Sequence, residues 1–223
     1  MELPSLVDLV VAINDALTVG AVGHGFRGAI ALAYYVGDPR ATRDIDINIA
    51  MPVDRAEAVL RLLPAAVQWG GDDVRRCVAD GQVRLWCGPV GDGIPVDLFF
   101  PQHAFHQAVA GATTLRPFGR LDYLLPVISA THLAVFKALF DRPKDWVDIA
   151  AMLQAGTVDV VETLGWLQDL LGADHPTCGR LAELAVRAGQ PSSAPGAEMH
   201  QPPVAWRSLG PPAGPGHHGR RSR

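Results

Sequence analysis

Arg40-Ala41-Thr42-Arg43-Asp44-Ile45-Asp46-Ile47-Asn48-Ile49-Ala50 is the stretch on which the fold turns. From Asp44 onward polar and apolar residues alternate strictly. Ile45, Ile47 and Ile49 point one way while Asp44, Asp46 and Asn48 point the other, the period-two pattern of a half-buried strand. Side chains two apart on a strand share a face at roughly 6 to 7 Å, so Asp44 and Asp46 present two carboxylates side by side. Carboxylates ~4 Å apart repel by about 4 kcal/mol at an effective dielectric of 20, enough to protonate one unless a divalent cation sits between them. Hard oxygen ligands of this kind suit magnesium. A solvated strand face has the same D-x-D spacing, so the pair alone leaves both readings open.

Downstream, Val83–Cys87 and Ile94–Phe100 read as two strands around the turn-rich Gly88-Pro89-Val90-Gly91-Asp92-Gly93, hence a hairpin. Its second strand, Val96-Asp97-Leu98-Phe99-Phe100, sets one carboxylate in apolar surroundings. Nothing in that strand compensates Asp97, so a metal or a base from elsewhere is expected beside it. Upstream, Leu6, Leu9, Val10, Ile13 and Leu17 are spaced for a helix, and a short helix follows Gly28. Gly23-His24-Gly25-Phe26-Arg27-Gly28 matches a dinucleotide-binding fingerprint in letters. Too few residues separate Gly28 from Gly37-Asp38-Pro39 for the crossover helix such a fold needs. A glycine turn whose backbone N–H groups hold phosphate is the alternative. A helix is expected over 56–63 with Asp54 ahead of it as cap, and a short one at most over 74–78. Beyond Pro117 the pattern turns helical: 130–140 with Ser129 as cap, 145–153, 158–170 and 179–188. Strands first and helices afterwards predict an α+β fold. The divisions are a catalytic domain over 1–116, a helical subdomain over 117–189 and a tail over 190–223.

Taken together, Gly28-Ala29-x-Ala31, Pro39 to Asp46 and Pro95-Val96-Asp97-Leu98-Phe99-Phe100 resemble the nucleotidyltransferase superfamily with the DNA polymerase β-type fold. The closer likeness is to its AbiEii/AbiGii toxin and minimal-nucleotidyltransferase branch. Lys137 followed by Arg142-Pro143-Lys144-Asp145-Trp146-Val147-Asp148 resembles that branch's helical motif. The matches span roughly residues 20–155. The resemblance implies a mixed sheet with flanking helices, and two magnesium ions on Asp44 and Asp46. Asp97 would be third ligand and base, with Gly28 and Ala29 against the triphosphate of an NTP. Arg40, Thr42, Lys137, Lys144 and Asp145 complete the implied nucleotide site. Lys137 and Lys144 are expected as solvent-side cations neutralising triphosphate, with Asp145 fixing one of them. For Asp145 a helix-capping role stays open, and for Arg40 a structural carboxylate pair. The family usually carries Gly-Gly or Gly-Ser where this chain has Gly28-Ala29. His103 and His106 read as amphipathic-helix residues, Trp146 and Trp166 as core. If the three acids share metal, Asp→Asn at any of them is expected to leave the metal-free protein at least as stable.

The chain of 223 residues carries 19 Lys plus Arg against 23 Asp plus Glu, a formal charge of −4. An acidic folded part is a poor general binder of phosphate backbones. No run approaches the ~18 to 20 apolar residues of a membrane helix, and a cytoplasmic protein is expected. Three cysteines without CxxC spacing indicate neither a disulfide framework nor a zinc knuckle. The Pro- and Gly-rich stretch 190–223 lacks a burial pattern and is expected to be a disordered tail. The function expected is transfer of NMP from an NTP to RNA, protein or a small molecule with release of pyrophosphate. A toxin with an antitoxin partner and an antibiotic-type adenylyltransferase are its two versions. A nucleotide- or partner-binding module without turnover is the non-enzymatic alternative.

Overall fold

The computed structural model describes residues 3–190; the expected tail, from residue 191 on, lies outside them. In chain order the elements are α1 (Leu6–Val19), β1 (His24–Phe26), α2 (Gly28–Leu32), β2 (Ile45–Ile49), α3 (Ala56–Leu60), β3 (Val67–Gln68) and α4 (Gly71–Asp80). There follow β4 (Gln82–Cys87), β5 (Ile94–Phe99), α5 (Ala104–Gly111), β6 (Thr114–Phe118) and β7 (Arg120–Val127). Four helices end the described chain: α6 (Ala130–Phe140), α7 (Pro143–Gln154), α8 (Val160–Leu171) and α9 (Pro176–Arg187).

The strands form one seven-stranded sheet in the order β3-β4-β5-β2-β1-β7-β6. It is mixed: β2 runs parallel to β5 and β1 to β7, and the other neighbours are antiparallel. The α+β class with flanking helices and a helical C-terminal part is therefore what the chain adopts. Because β1 and β2 are antiparallel, no crossover joins them. His24, Gly25 and Phe26 of the glycine-rich motif lie in a strand, not in a phosphate loop. Ile45, Ile47 and Ile49 are buried beside Val96 and Leu98 of the parallel neighbour β5. Each such side chain contributes about 1.5 to 3 kcal/mol by leaving water.

Ser5 caps α1 by accepting from the Asp8 N–H, and Ser129 caps α6 from the His132 N–H, as expected of Ser129. α4 is longer than the sequence suggests. Its surface is salt-bridged by Arg75 to Asp72 and Arg76 to Asp73, it buries only Cys77, and it stops at left-handed Gly81. α3, in turn, is shorter than expected and follows a 3₁₀ turn over Val53–Arg55, with no cap from Asp54.

The largest departure lies at 114–127, where a helical pattern was expected beyond Pro117. These residues instead form the β6–β7 hairpin, and Phe26 pairs with Val127. The division at 116/117 falls inside β6, and the helices begin after Ser129. α6 packs on α2, α7 and α8, and α8 on α9. Tyr35 donates its hydroxyl to the Ile128 carbonyl at 2.8 Å, and Thr157 donates to the Tyr35 carbonyl at 3.1 Å, tying the helical part to the sheet. All three cysteines are buried and free.

Candidate active site

A cleft of about 690 Å³ opens where the start of α2, β2, β4 and β5 face α6 and the start of α7. The parallel register sets Asp46 directly beside Asp97, and Asp44 is two residues before Asp46 on the same strand face. All three acids line the cleft. Asp46 sits against Gly28, whose φ is +60° and whose Cα faces the Asp46 carboxylate so closely that a Cβ would collide with it. Glycine is required there twice over, by backbone conformation and by space. Ala29 is 5 % exposed and shares the cleft wall. Thr42 holds the turn ahead of Asp44, donating to the Asp44 carbonyl at 3.2 Å and accepting from its N–H at 3.1 Å.

Burial pushes the Asp46 carboxyl above its usual range, and Asp97 and Asp44 add to the effect while the Arg27 guanidinium opposes it. Arg27 itself is 4 % exposed. Its guanidinium lies 4.2 Å from the Phe99 ring centre and 3.8 Å from that of Phe136, and donates to Asn48 Oδ1 at 3.1 Å. Burial lowers its pKa to about 10 despite the acids nearby. Asp97 is not uncompensated. Arg84, opposite it in the β4–β5 register, donates through Nε at 2.8 Å and Nη2 at 2.6 Å.

The helical motif makes a second ionic cluster under the cleft's other wall. Lys137 is 4 % exposed, not a solvent-side cation. Its Nζ lies 2.6 Å from Asp148 Oδ2 and 3.7 Å from Asp145 Oδ1. Asp145 is fully buried inside α7, which begins at Pro143, so it caps nothing; it also accepts from Arg142 at 2.6 and 3.2 Å. Arg40 reaches Asp148 at 3.4 Å, the structural pair. Lys144 is exposed at the rim and makes no ion pair among the described residues. His103 caps α5 and His106 lies within it, while Trp146 is buried and Trp166 meets Phe105 edge to face with ring centres 5.2 Å apart.

Arg27, Arg84 and Arg142 escaped the sequence reading. Arg84 could have been found by counting: Cys87 pairs with Ile94 across the hairpin, and three steps further back Arg84 meets Asp97. Arg142 stood within the quoted motif. Arg27 offered only a cation beside the apolar start of α2, and the Phe99 and Phe136 rings that house it come from distant segments.

Asp44 and Asp46 fit a hard divalent cation. Their donors are oxygens, the Asp46 carboxyl is short of water, and Gly28 leaves its flank free of side chain. Asp97 stands beside them, but its charge is neutralised by the bidentate pair with Arg84. Among the described residues no three acidic, histidine or cysteine side chains close on one point. No helix of the described residues is long and apolar enough to cross a membrane.

No family model and no curated protein matches the chain. Among solved structures it is similar to an antigenic nucleotidyltransferase-like protein from Paracoccidioides brasiliensis, with 17 % identity, 80 % of this chain and 94 % of that one covered, and a TM-score of 0.48. It is similar also to the lincosamide antibiotic adenylyltransferase LnuA bound to lincomycin, at 14 % identity, 68 % and 98 % coverage and a TM-score of 0.43. The antibiotic-resistance factor ANT(2'')-Ia stands at 16 % identity, 81 % and 89 % coverage and a TM-score of 0.41.

Proposed function

We propose that the cleft binds a nucleoside triphosphate and transfers its nucleoside monophosphate to an acceptor hydroxyl, releasing pyrophosphate. The observation that carries this is the juxtaposition of Asp44, Asp46 and Asp97 at the floor of a cleft lined by cations. Seven Lys and Arg side chains line it against five Asp, in a chain whose net charge is −4. Such local reversal of charge suits a polyanion bound next to carboxylates.

Lys144, Arg142 and Arg40 line the same cleft as Gly28 and Ala29, along which the triphosphate would lie. Lys137 and Asp145 act from beneath: Asp145 anchors Arg142, and Lys137 holds Asp145 and Asp148 in place. Thr42 fixes the approach of Asp44. Asp44 and Asp46 would hold magnesium, which when bound stabilises attacking and leaving oxygens in an in-line displacement. The acceptor oxygen bonds to the α-phosphorus, the bridge from α- to β-phosphate breaks, and pyrophosphate leaves with the electron pair. Asp97 would take the hydroxyl proton once its pairing with Arg84 is loosened.

Incubation with each of four NTPs labelled at the α-phosphate, with magnesium and cell extract, tests the proposal. Label entering RNA, protein or small molecules supports it and names the acceptor, and with it the toxin or antibiotic-type version. Label left entirely in nucleoside diphosphate, the mark of γ-phosphoryl transfer, or nucleotide bound and returned unchanged, overturns it.

A further inference from the structure

Asp97 is the acid of the cleft whose charge is already neutralised. The guanidinium of Arg84 closes both its oxygens, at 2.8 and 2.6 Å. A planar fork takes one lone pair of each oxygen and neutralises the carboxylate's charge, so a divalent ion approaching Asp97 has to compete with Arg84 for it. The partners differ in freedom: the Asp97 side chain is 10 % exposed and that of Arg84 54 %. The acid is fixed in the sheet, and the cation has room to leave. Arginine stays protonated, so the pair opens by movement of Arg84 and not by loss of a proton.

We infer that Arg84 is a resident counter-cation with which a divalent ion competes for Asp97, so that the pair lowers the metal affinity of the acidic site. This rests on reading the cleft as a metal-dependent nucleotidyltransferase site. In the absence of nucleotide, Arg84 weakens the hold of the site on metal. A bound triphosphate offers the released guanidinium a second anionic partner, so nucleotide and metal bind cooperatively. Arg84 is thereby a positioning residue that sets metal affinity through Asp97.

The test is a double-mutant cycle read by calorimetric titration of Mn²⁺ without nucleotide. Arg84→Gln is expected to tighten Mn²⁺ binding by about tenfold over wild type, and Arg84→Lys, which keeps the charge but loses the fork, by less. In an Asp97→Asn background the gain from Arg84→Gln should vanish. Arg84→Gln leaves a buried carboxylate unpaired and melts lower, with Mn²⁺ restoring more of its melting temperature than it adds to wild type. The doubly substituted R84Q/D97N protein carries neither charge and serves as the folded reference. Equal tightening in both backgrounds would mean only through-space repulsion and overturns the inference, as would Arg84→Gln binding Mn²⁺ no better than wild type. Those two results leave the nucleotidyltransferase reading standing. Mn²⁺ binding absent from every protein in the cycle overturns both.

Discussion

At Gly28 a φ of +60° coincides with the close approach of the Asp46 carboxylate. Gly28→Ala must therefore both strain the backbone and drive Asp46 out of place, and it should cost about 1 to 3 kcal/mol in a thermal melt. Nucleotide affinity should fall further than this loss explains, because Asp46 moves with it; unchanged affinity in a calorimetric titration would contradict the geometry. The two lysines of the helical motif should behave differently from each other. Lys137→Ala leaves Asp145 and Asp148 short of a partner inside the protein, an expected loss of about 3 kcal/mol. Lys144→Ala should change stability by less than about 1 kcal/mol while weakening triphosphate binding. Urea melts and NTP titrations of both check this, and equal stability losses would contradict it. The acids also divide. Asp46→Asn relieves repulsion, whereas Asp97→Asn, expected from sequence to be equally harmless, removes the partner of Arg84. That loss should be about 1 to 3 kcal/mol, below the full cost of a buried pair because Arg84 is half exposed.

Elements marked along the chain by periodicity, a cap or a flanking turn were legible in the sequence, and a very short strand and an exposed edge strand were not. β2 was plain because its isoleucines alternate with acids, and the β4–β5 hairpin because a glycine-rich turn separates two apolar runs. β6 has no buried face: Thr114, Leu115, Arg116 and Pro117 are all exposed on the sheet's edge, so neither periodicity nor β-propensity marks it. β1 is three residues long, one of them glycine, and was hidden inside a motif that suggested a loop. The site was half legible for the same reason. Asp44, Asp46 and Asp97 announce themselves along the chain, but their arginine partners are set by registers and helix packing between segments. The imidazole of His106 on α5 carries an acid-sensitive term. Burial first, then Arg27 and His103, push its pKa down to about 4, and its Nδ1 accepts from the Gln102 N–H at 3.5 Å. Folding holds it neutral where the unfolded chain would protonate it, so its stabilisation is full above the ordinary histidine pKa of about 6.5 and is lost as pH falls toward 4. Asp46, pushed upward, works in the opposite sense, so a difference between proteins isolates the imidazole. Between pH 7.5 and 5, wild type should lose more stability in urea melts than His106→Gln; parallel losses would contradict the assignment.

One hydrophobic cluster runs from Leu9 of α1 to Ala185 of α9, and the sheet and the helical part share it. β7 supplies the parallel neighbour of β1, and Ile128 donates its N–H to the Phe26 carbonyl at 3.1 Å. The described chain should therefore unfold in one cooperative step, and a fragment ending at residue 116 should lack a cooperative melt, since it exposes β1 and the apolar faces that α6 covers. A sharp thermal transition in that fragment would show that the catalytic layer stands alone. At this scale the charge distribution also acquires its meaning: an acidic molecule concentrates arginine and lysine around one cleft and puts three carboxylates at its floor. The central claim is that these carboxylates serve transfer of a nucleotidyl group and not the fold. Asp46→Asn tests it most directly, measured for thermal stability without metal and for transfer of α-phosphate label with magnesium. The account predicts a melting temperature at or above that of wild type together with loss of transfer; transfer retained by a stably folded Asp46→Asn protein would contradict it.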